Sequence, residues 1–334
     1  MRKHLIAIVL LAVSLKAWAQ FDAQSAFYMF YHSHLNPASV GQTDYMQVSG
    51  SYRLQWIGIE NAPQTGYFAF QSPFKIINTR HGAGARFMTD KIGLFSNQTA
   101  HVQYAYKFPL GGGFISAGID LGIISVTFKG SKVFIPEYDA ESSAQTGEDG
   151  SATGNGQTGA YHNASDMAIP KADKSDIKFD MALGVYYSNP KWYAGLSYSH
   201  VTRPVMKIGD YTDITIYGTM YAMAGYNWVL RNKKFTIKPS WMLKSDFRSW
   251  TMDLTLLLDY NERIRGGLSY RWGDAVGFIF GGDIITGLQL AYAYELPASK
   301  ILQASSGSHE VCLSYSFNIL GRKKHHKYKS IRIL

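Results

Sequence analysis

The sequence predicts an all-β chain: a transmembrane antiparallel β-barrel of about fourteen strands. Three observations carry this expectation. Runs of about ten residues alternate apolar with polar side chains and are separated by turn formers, the per-segment pattern of a membrane barrel. Beyond the N-terminal segment, no stretch approaches the ~20 consecutive apolar residues a spanning helix needs. The connections between runs alternate short and long, as when one end of a barrel carries tight turns and the other carries loops.

Residues 1–19 read as a signal peptide. Arg2, Lys3 and His4 make a basic start, Leu5 to Leu15 an apolar core too short to span a bilayer, and Ala17-Trp18-Ala19 a small-x-small cleavage site. Residues 20–44 show no clean period and carry Phe21, Phe27, Tyr28, Phe30 and Tyr31. That composition predicts an N-terminal aromatic strap packed against or inside the barrel.

Residues 45–320 are the expected outer-membrane barrel. Tyr45 to Gln55 and Gln64 to Ser72 are two extended runs. They are joined by a turn in which Gly58 supplies free φ, Asn61 a local hydrogen bond and Pro63 a fixed φ. Candidate strands follow at about 46–55, 63–73, 80–90, 96–108, 112–126, 176–188, 190–201, 214–229, 234–246, 249–260, 262–272, 274–285, 287–297 and 309–319. Later runs alternate best: Leu288, Leu290, Tyr292 and Tyr294 against Gln289, Ala291, Ala293 and Glu295, and Val311, Leu313 and Tyr315 against Glu310, Cys312 and Ser314. The polar partner face suits a wet or polar-packed lumen. Aromatic residues are 14% of the chain, with 23 Tyr and 7 Trp, and Trp56, Trp192, Trp228, Trp241, Trp250 and Trp272 are expected near strand ends, at the bilayer interface.

Connection lengths set the expected orientation. Turns after even strands are short and those after strands 1, 5, 7 and 13 are longer, so the N-terminus is placed in the periplasm. The longest connection, 127–174, is poor in apolar residues and rich in Gly, Ser, Asn, Asp and Gln, and is read as one long external loop. Residues 321–334 form a basic periplasmic tail with Arg322, Lys323, Lys324, Lys327, Lys329 and Arg332 and no acid. Once Arg2, Lys3 and Lys16 leave with the signal, the net charge of +9 falls to +6, all of it carried by this tail. A barrel body of balanced charge excludes nucleic acid as a partner.

The chemistry-bearing motifs are few. Gly154-Asn155-Gly156-Gln157-Thr158-Gly159 has dinucleotide-fingerprint spacing but lies in a polar loop, without the flanking strand and helix that chemistry requires. His32 and His34 offer two imidazoles and no third ligand, and the single Cys312 excludes a disulfide or cysteine-cluster metal site. No nucleophile elbow, zincin motif or P-loop occurs. Catalytic, cofactor and metal residues are therefore expected to be none, and the protein is read as a non-enzyme.

The hairpin tip carries a resemblance. Arg53, Gln55, Trp56, Gly58, Ala62 and Pro63 are similar to the YRxQWxGxxxAP signature of the PorP/SprF family, outer-membrane components of the type IX secretion system. Tyr28-Met29-Phe30 with Leu35-Asn36-Pro37-Ala38 resembles that family's YMF…NPA segment. Asp90-Lys91-Ile92-Gly93, Tyr104-Ala105-Tyr106 and Pro109-Leu110-Gly111 resemble its DKIGP…YAYxxPL segment, with Leu94 in place of the usual Pro and His32-Ser33-His34 departing from the usual residues.

The resemblance implies an outer-membrane component of a secretion or gliding apparatus that supports export or anchoring of surface proteins. It implies contact with other secretion subunits: the outer-membrane translocon and periplasmic ring or peptidoglycan-linked proteins. Arg53, Gln55, Trp56, Gly58, Pro63, Asp90 and Lys91 are then candidates for a partner contact or a structural motif, with Arg53 bridging lumen carboxylates and Trp56 anchoring the interface in the structural case. The six tail cations are candidates for docking a periplasmic subunit or for resting near acidic lipid headgroups. A pore or transporter for small or hydrophobic molecules is the alternative that barrel physics equally allows.

Overall fold

The computed structural model describes residues 22–133, 170, 172–209 and 212–317. The signal peptide, most of the 127–174 connection and the basic tail lie outside the described residues. Described strands, in chain order, are β1 (Met46–Leu54), β2 (Gln64–Ile76), β3 (Thr79–Ile92), β4 (Phe95–Leu110), β5 (Gly113–Phe128), β6 (Lys174–Ser188), β7 (Trp192–Ser199), β8 (Val205–Lys207), β9 (Asp213–Thr215), β10 (Thr219–Tyr226), β11 (Trp228–Val229), β12 (Phe235–Ser245), β13 (Trp250–Tyr260), β14 (Ile264–Arg271), β15 (Ala275–Ile285), β16 (Leu288–Pro297) and β17 (Ser308–Phe317).

Each stave pairs antiparallel with its sequence neighbour, and β1 pairs with β17, from Met46 opposite Phe317 to Leu54 opposite His309. β10 pairs with both β7 and β12, and β11 continues its stave after a break at Asn227, so the ring closes with fourteen staves. Closure leaves no sheet edge, which hydrocarbon would leave unsatisfied.

The alternating pattern sets which side faces out. Val311, Leu313 and Tyr315 of β17 and Leu290 and Tyr292 of β16 point away from the lumen and are exposed, whereas Glu310, Cys312, Ser314, Gln289 and Glu295 are buried. Trp192, Trp228, Trp250 and Trp272 fall at strand ends. Trp241 does not: it lies within β12, outward-facing and opposite Leu254 of β13.

Turns at one rim are short, including 77–78, 111–112 and 286–287, while the other rim carries 55–63, 129–173, 200–218 and 298–307. The eighth predicted strand, 214–229, is divided. Asp213–Thr215 pairs with Val205–Lys207 as a separate hairpin at the long-loop rim, and the stave begins only at Thr219. The isoleucines that read as strand period serve a different contact: Ile216, with Met206 and Ile208, buries against Ile124 and Val126 at the end of β5.

A ring of fourteen strands is wider than its own side chains can fill. Residues 22–45 fill it. Ala26, Phe27, Tyr28, Met29, Phe30 and Tyr31 pack on inward residues of distant strands, among them Tyr67, Tyr221, Met242, Leu257 and Ile279. A helical turn at His32–Leu35 follows. Asn36 then caps the 3-10 turn Pro37–Ser39, its Oδ1 accepting from the Ala38 N–H at 3.0 Å.

Asn36 also donates through Nδ2 to the carbonyls of Val185 (2.9 Å) and Leu196 (3.2 Å). Glycines make that approach possible. A Cβ on Gly184 would lie 2.1 Å from Asn36 Oδ1, and one on Gly82 would lie 2.0 Å from the Val40 carbonyl. The strap therefore rests in a groove cut into the wall by missing side chains.

Candidate functional site

Inward alternation places charged residues of neighbouring staves side by side, where they can be buried only if paired. Arg53 on β1 pairs with Glu295 on β16 and, at 3.3 Å, with Glu310 on β17. Arg271 on β14 bridges Asp253 on β13 at 2.8 Å and Glu295 at 3.2 Å. The strap enters this network at Glu310, which accepts from Ser25 Oγ and from the Ala26 N–H, each at 2.7 Å.

A second clamp lies near the long-loop rim. His200, just beyond β7, sits between two carboxylates, Nδ1 at 2.8 Å from Asp180 and Nε2 at 2.8 Å from Asp22 of the strap. Tyr221 also donates to Asp22, and Lys244 Nζ reaches the Asp22 carbonyl at 2.9 Å. Burial, the largest influence on His200, lowers its pKa. The charges and hydrogen bonds of Asp22 and Asp180 outweigh it and raise the value to about 10, so both ring nitrogens donate at neutral pH. On the adjoining strands Arg86 pairs with Asp120 at 2.7 Å, and Gln103 donates both to Asp120 and to the strap carbonyl of Ser33.

Between strap and wall remains a cavity of about 40 Å³, bordered by Tyr28, Tyr31, Tyr67, Arg53 and Glu310. At ~10–15 Å³ per water it holds only a few water molecules.

The predicted hairpin residues separate into two groups. Arg53 and Asp90 face the lumen and are buried at 2% and 1% exposure, with Thr65 Oγ1 donating to Asp90 at 2.6 Å. Gln55, Trp56, Gly58 and Pro63 lie in the connection from β1 to β2, at the long-loop rim, and Lys91 is exposed near the end of β3. The connection is closed by Gln55 N–H to the Pro63 carbonyl (3.0 Å). It is tied to the β16–β17 connection by Ile57 N–H to Gly307 O (2.8 Å), Ser306 N–H to Ile57 O (2.7 Å) and Trp56 N–H to Ser308 Oγ (3.1 Å). Gly58 has φ +106°, which side chains avoid, and Trp56 sits at φ 53°. The tip is thus a plate of fixed geometry, with its signature residues divided between rim and lumen.

The six tail cations lie outside the described residues. His32 is buried in the strap and His34 half-buried there; His32 Nδ1 meets Tyr186 OH at 2.9 Å, and the described residues hold no group of three candidate metal ligands. Sequence reading did not single out Asp22, His200, Arg271 or Glu295. Their only signal is a charge on the polar phase of a strand or beside it, and their partners lie up to 242 residues away.

An antiparallel ring closed on itself, apolar outside and charge-paired inside around a threaded N-terminal segment, is an outer-membrane β-barrel protein with a plugged lumen. Within that class the chain belongs to the type IX secretion system membrane protein PorP/SprF family, whose profile matches residues 17–315. It is accordingly an outer-membrane component of type IX secretion.

Comparison with curated proteins finds no match. Solved structures similar to it include the Acinetobacter baumannii outer membrane protein Omp33 (9% identity, 83% of this chain and 100% of that one, TM-score 0.46). They also include the CymD monoaromatic hydrocarbon channel (10%, 92% and 97%, 0.46) and the Pseudomonas putida toluene transporter TodX (9%, 91% and 96%, 0.45). At these TM-scores the likeness carries nothing about ligands or transport.

Proposed function

We propose that the protein is a non-enzymatic anchoring subunit of the type IX secretion or gliding apparatus, a plugged barrel that holds other components at the outer membrane and supports export or surface attachment of their clients. One observation carries the reading: residues 22–45 occupy the lumen and are pinned to the wall through Asp22, Ser25, Ala26 and Asn36. A filled, ion-paired interior leaves the two rims as the working surfaces. In this reading the long-loop rim, with the Gln55–Pro63 plate, faces the cell exterior, and the short-turn rim faces the periplasm and its ring or peptidoglycan-linked subunits.

The test is conductance of the pure protein in planar bilayers, together with recovery of partners in mild detergent. Little current and co-recovery of secretion subunits are expected. Large, stable, ion-selective current without partners overturns the anchoring reading in favour of a pore.

A further inference from the structure

The two rims differ in charge. Connections at the short-turn rim, with the strand residues beside them, present Lys75, Lys191, Arg231, Lys233, Lys234 and Arg263, all exposed. Among the described residues none of these six side chains has a carboxylate partner. Among the described residues the exposed acids at this rim are Glu262 and Asp44, and Asp44 is taken up by Arg80; Asp259 and Asp283, on the strands just inside it, pair with Lys238 and Arg265. The long-loop rim carries exposed cations too, Lys91, Lys132, Lys174, Arg203, Lys207 and Lys300 among them, but sets acids between them: Glu60, Asp173, Asp213 and Asp246, with Lys178 paired to Asp176 at 3.1 Å. Cations with few acids beside them are thus a feature of one rim.

Five of the six cations fall on one arc, in the turns between β6 and β7, between β11 and β12, and between β13 and β14. The same turns carry outward apolar residues at their edges: Trp192 beside Lys191, Trp228 and Val229 before Arg231, and Ile264 after Arg263. Farther round, the β2–β3 turn sets Lys75 next to Ile77, which is 93% exposed at its apex and held at φ 45°. A β-branched residue is not placed at positive φ for the turn's own benefit.

Apolar rings and branched chains at the level of ammonium and guanidinium groups match a bilayer interface, where rings sit among headgroups and cations reach phosphates. A purely water-facing basic surface has no use for the apolar half of this arrangement. A protein groove would call for one contiguous concave patch, and these side chains instead follow the line of the rim.

We propose that the short-turn rim is a binding surface for anionic phospholipid headgroups, formed by Lys191, Arg231, Lys233, Lys234 and Arg263 over the Trp192, Trp228 and Ile264 edge. The bound leaflet is the periplasmic one if the barrel is oriented as proposed above, and the inference rests on that reading for its leaflet alone. The lipid clamps the side of the barrel nearest the periplasm and fixes its depth, so that partner subunits meet the rim at a constant height.

The experiment uses the full chain in mild detergent with phosphatidylglycerol as probe and phosphatidylcholine as reference. Retained lipid is read by native mass spectrometry, and stability by the temperature of heat-modified migration. Wild type is expected to retain phosphatidylglycerol and to gain stability from it. The combined variant Lys191→Gln, Arg231→Gln, Lys233→Gln, Lys234→Gln and Arg263→Gln should retain it about tenfold less or weaker still. A control at the other rim, Lys132→Gln with Lys300→Gln, should behave as wild type.

Equal retention by the rim variant and wild type overturns the proposal. So does a rim variant that keeps its lipid but loses co-purified subunits, which would make the arc a protein contact. Lipid retention in detergent does not depend on orientation. Labelling a Lys191→Cys variant on intact cells tests orientation separately, so the two failures are told apart.

Discussion

Glu310 accepts the backbone N–H of Ala26 at 2.7 Å, so a carboxylate on the last strand holds the first described segment of the chain inside the barrel. The same carboxylate lies 3.3 Å from Arg53 Nη1 on the first strand. Strap, β1 and β17 therefore share one group at the seam where the chain closes on itself, and cutting it should affect plug and closure together.

Arg53→Ala leaves Glu295 and Glu310 buried with fewer counter-charges, and breaking such a pair costs about 3–5 kcal/mol. The temperature of heat-modified migration should drop well below that of a surface control such as Lys91→Ala. Arg53→Lys keeps the charge without the two-pronged geometry and should fall between. Parity between Arg53→Ala and the control would sink the assignment of Arg53 to the seam.

Gly184→Val places a Cβ where Asn36 Oδ1 now sits, 2.1 Å away. Position 184 lies in β6, where valine is a good strand former, so the ring should survive while the strap is displaced. Bilayer conductance should rise above wild type with heat-modified migration retained. Asn36→Ala, which removes two hydrogen bonds to strand carbonyls, should act in the same direction by about 1–3 kcal/mol on strap docking. Unchanged conductance in both would mean that the strap does not close the pore.

The His200 clamp should weaken as pH rises. Its folded pKa of about 10 lies above the unfolded value of 6.5. Its contribution is therefore fully present below 6.5 and is lost as pH climbs through 10. Protease access to the strap should increase over that window, and the increase should be absent in His200→Gln, which lacks the titrating group. A strap equally protected at both ends of the window argues against the clamp.

Gly58→Ala forces a side chain onto φ +106°, 3.1 Å from the Ala304 carbonyl. This should loosen the plate from the 298–307 connection, detectable as faster proteolysis near Leu302, with the barrel intact. If the plate is a contact for secretion subunits, Trp56→Ala should lower their recovery as well. Full recovery with both substitutions leaves the signature a purely structural device.

Removing residues 321–334 should leave β17 paired to β1 and β16, since its described pairing ends at Phe317. The six cations removed would each contribute on the order of 0–1 kcal/mol if exposed, but together they could hold an acidic periplasmic surface in a salt-sensitive way. Folding should be normal and partner recovery weaker. Complete recovery of every partner at physiological salt ends the docking idea.

The sequence by itself determined the wall of this protein. A side-chain period of two depends only on the strand's own backbone, so Leu290 and Tyr292 could be assigned to one face, and Gln289 and Glu295 to the other, without knowing any neighbour. Turn chemistry is equally local, and the short and long connections could be read from Gly, Asn and Pro. The YRxQWxGxxxAP signature pointed to the family for the same reason, being contiguous. Locality also explains the main misreading: Ile214 and Ile216 keep strand period, yet they belong to a cap on β5.

What the tertiary structure decided is the interior. Whether residues 22–45 lie beside the wall or inside it depends on ring width, which comes from the number of staves and not from any one segment. The glycines that admit the strap read as weak strand residues until Asn36 and Val40 are seen against them. Asp22 meets His200 and Ala26 meets Glu310 across 178 and 284 positions of sequence. Pairings at that separation exist only once the barrel has closed around its own first residues.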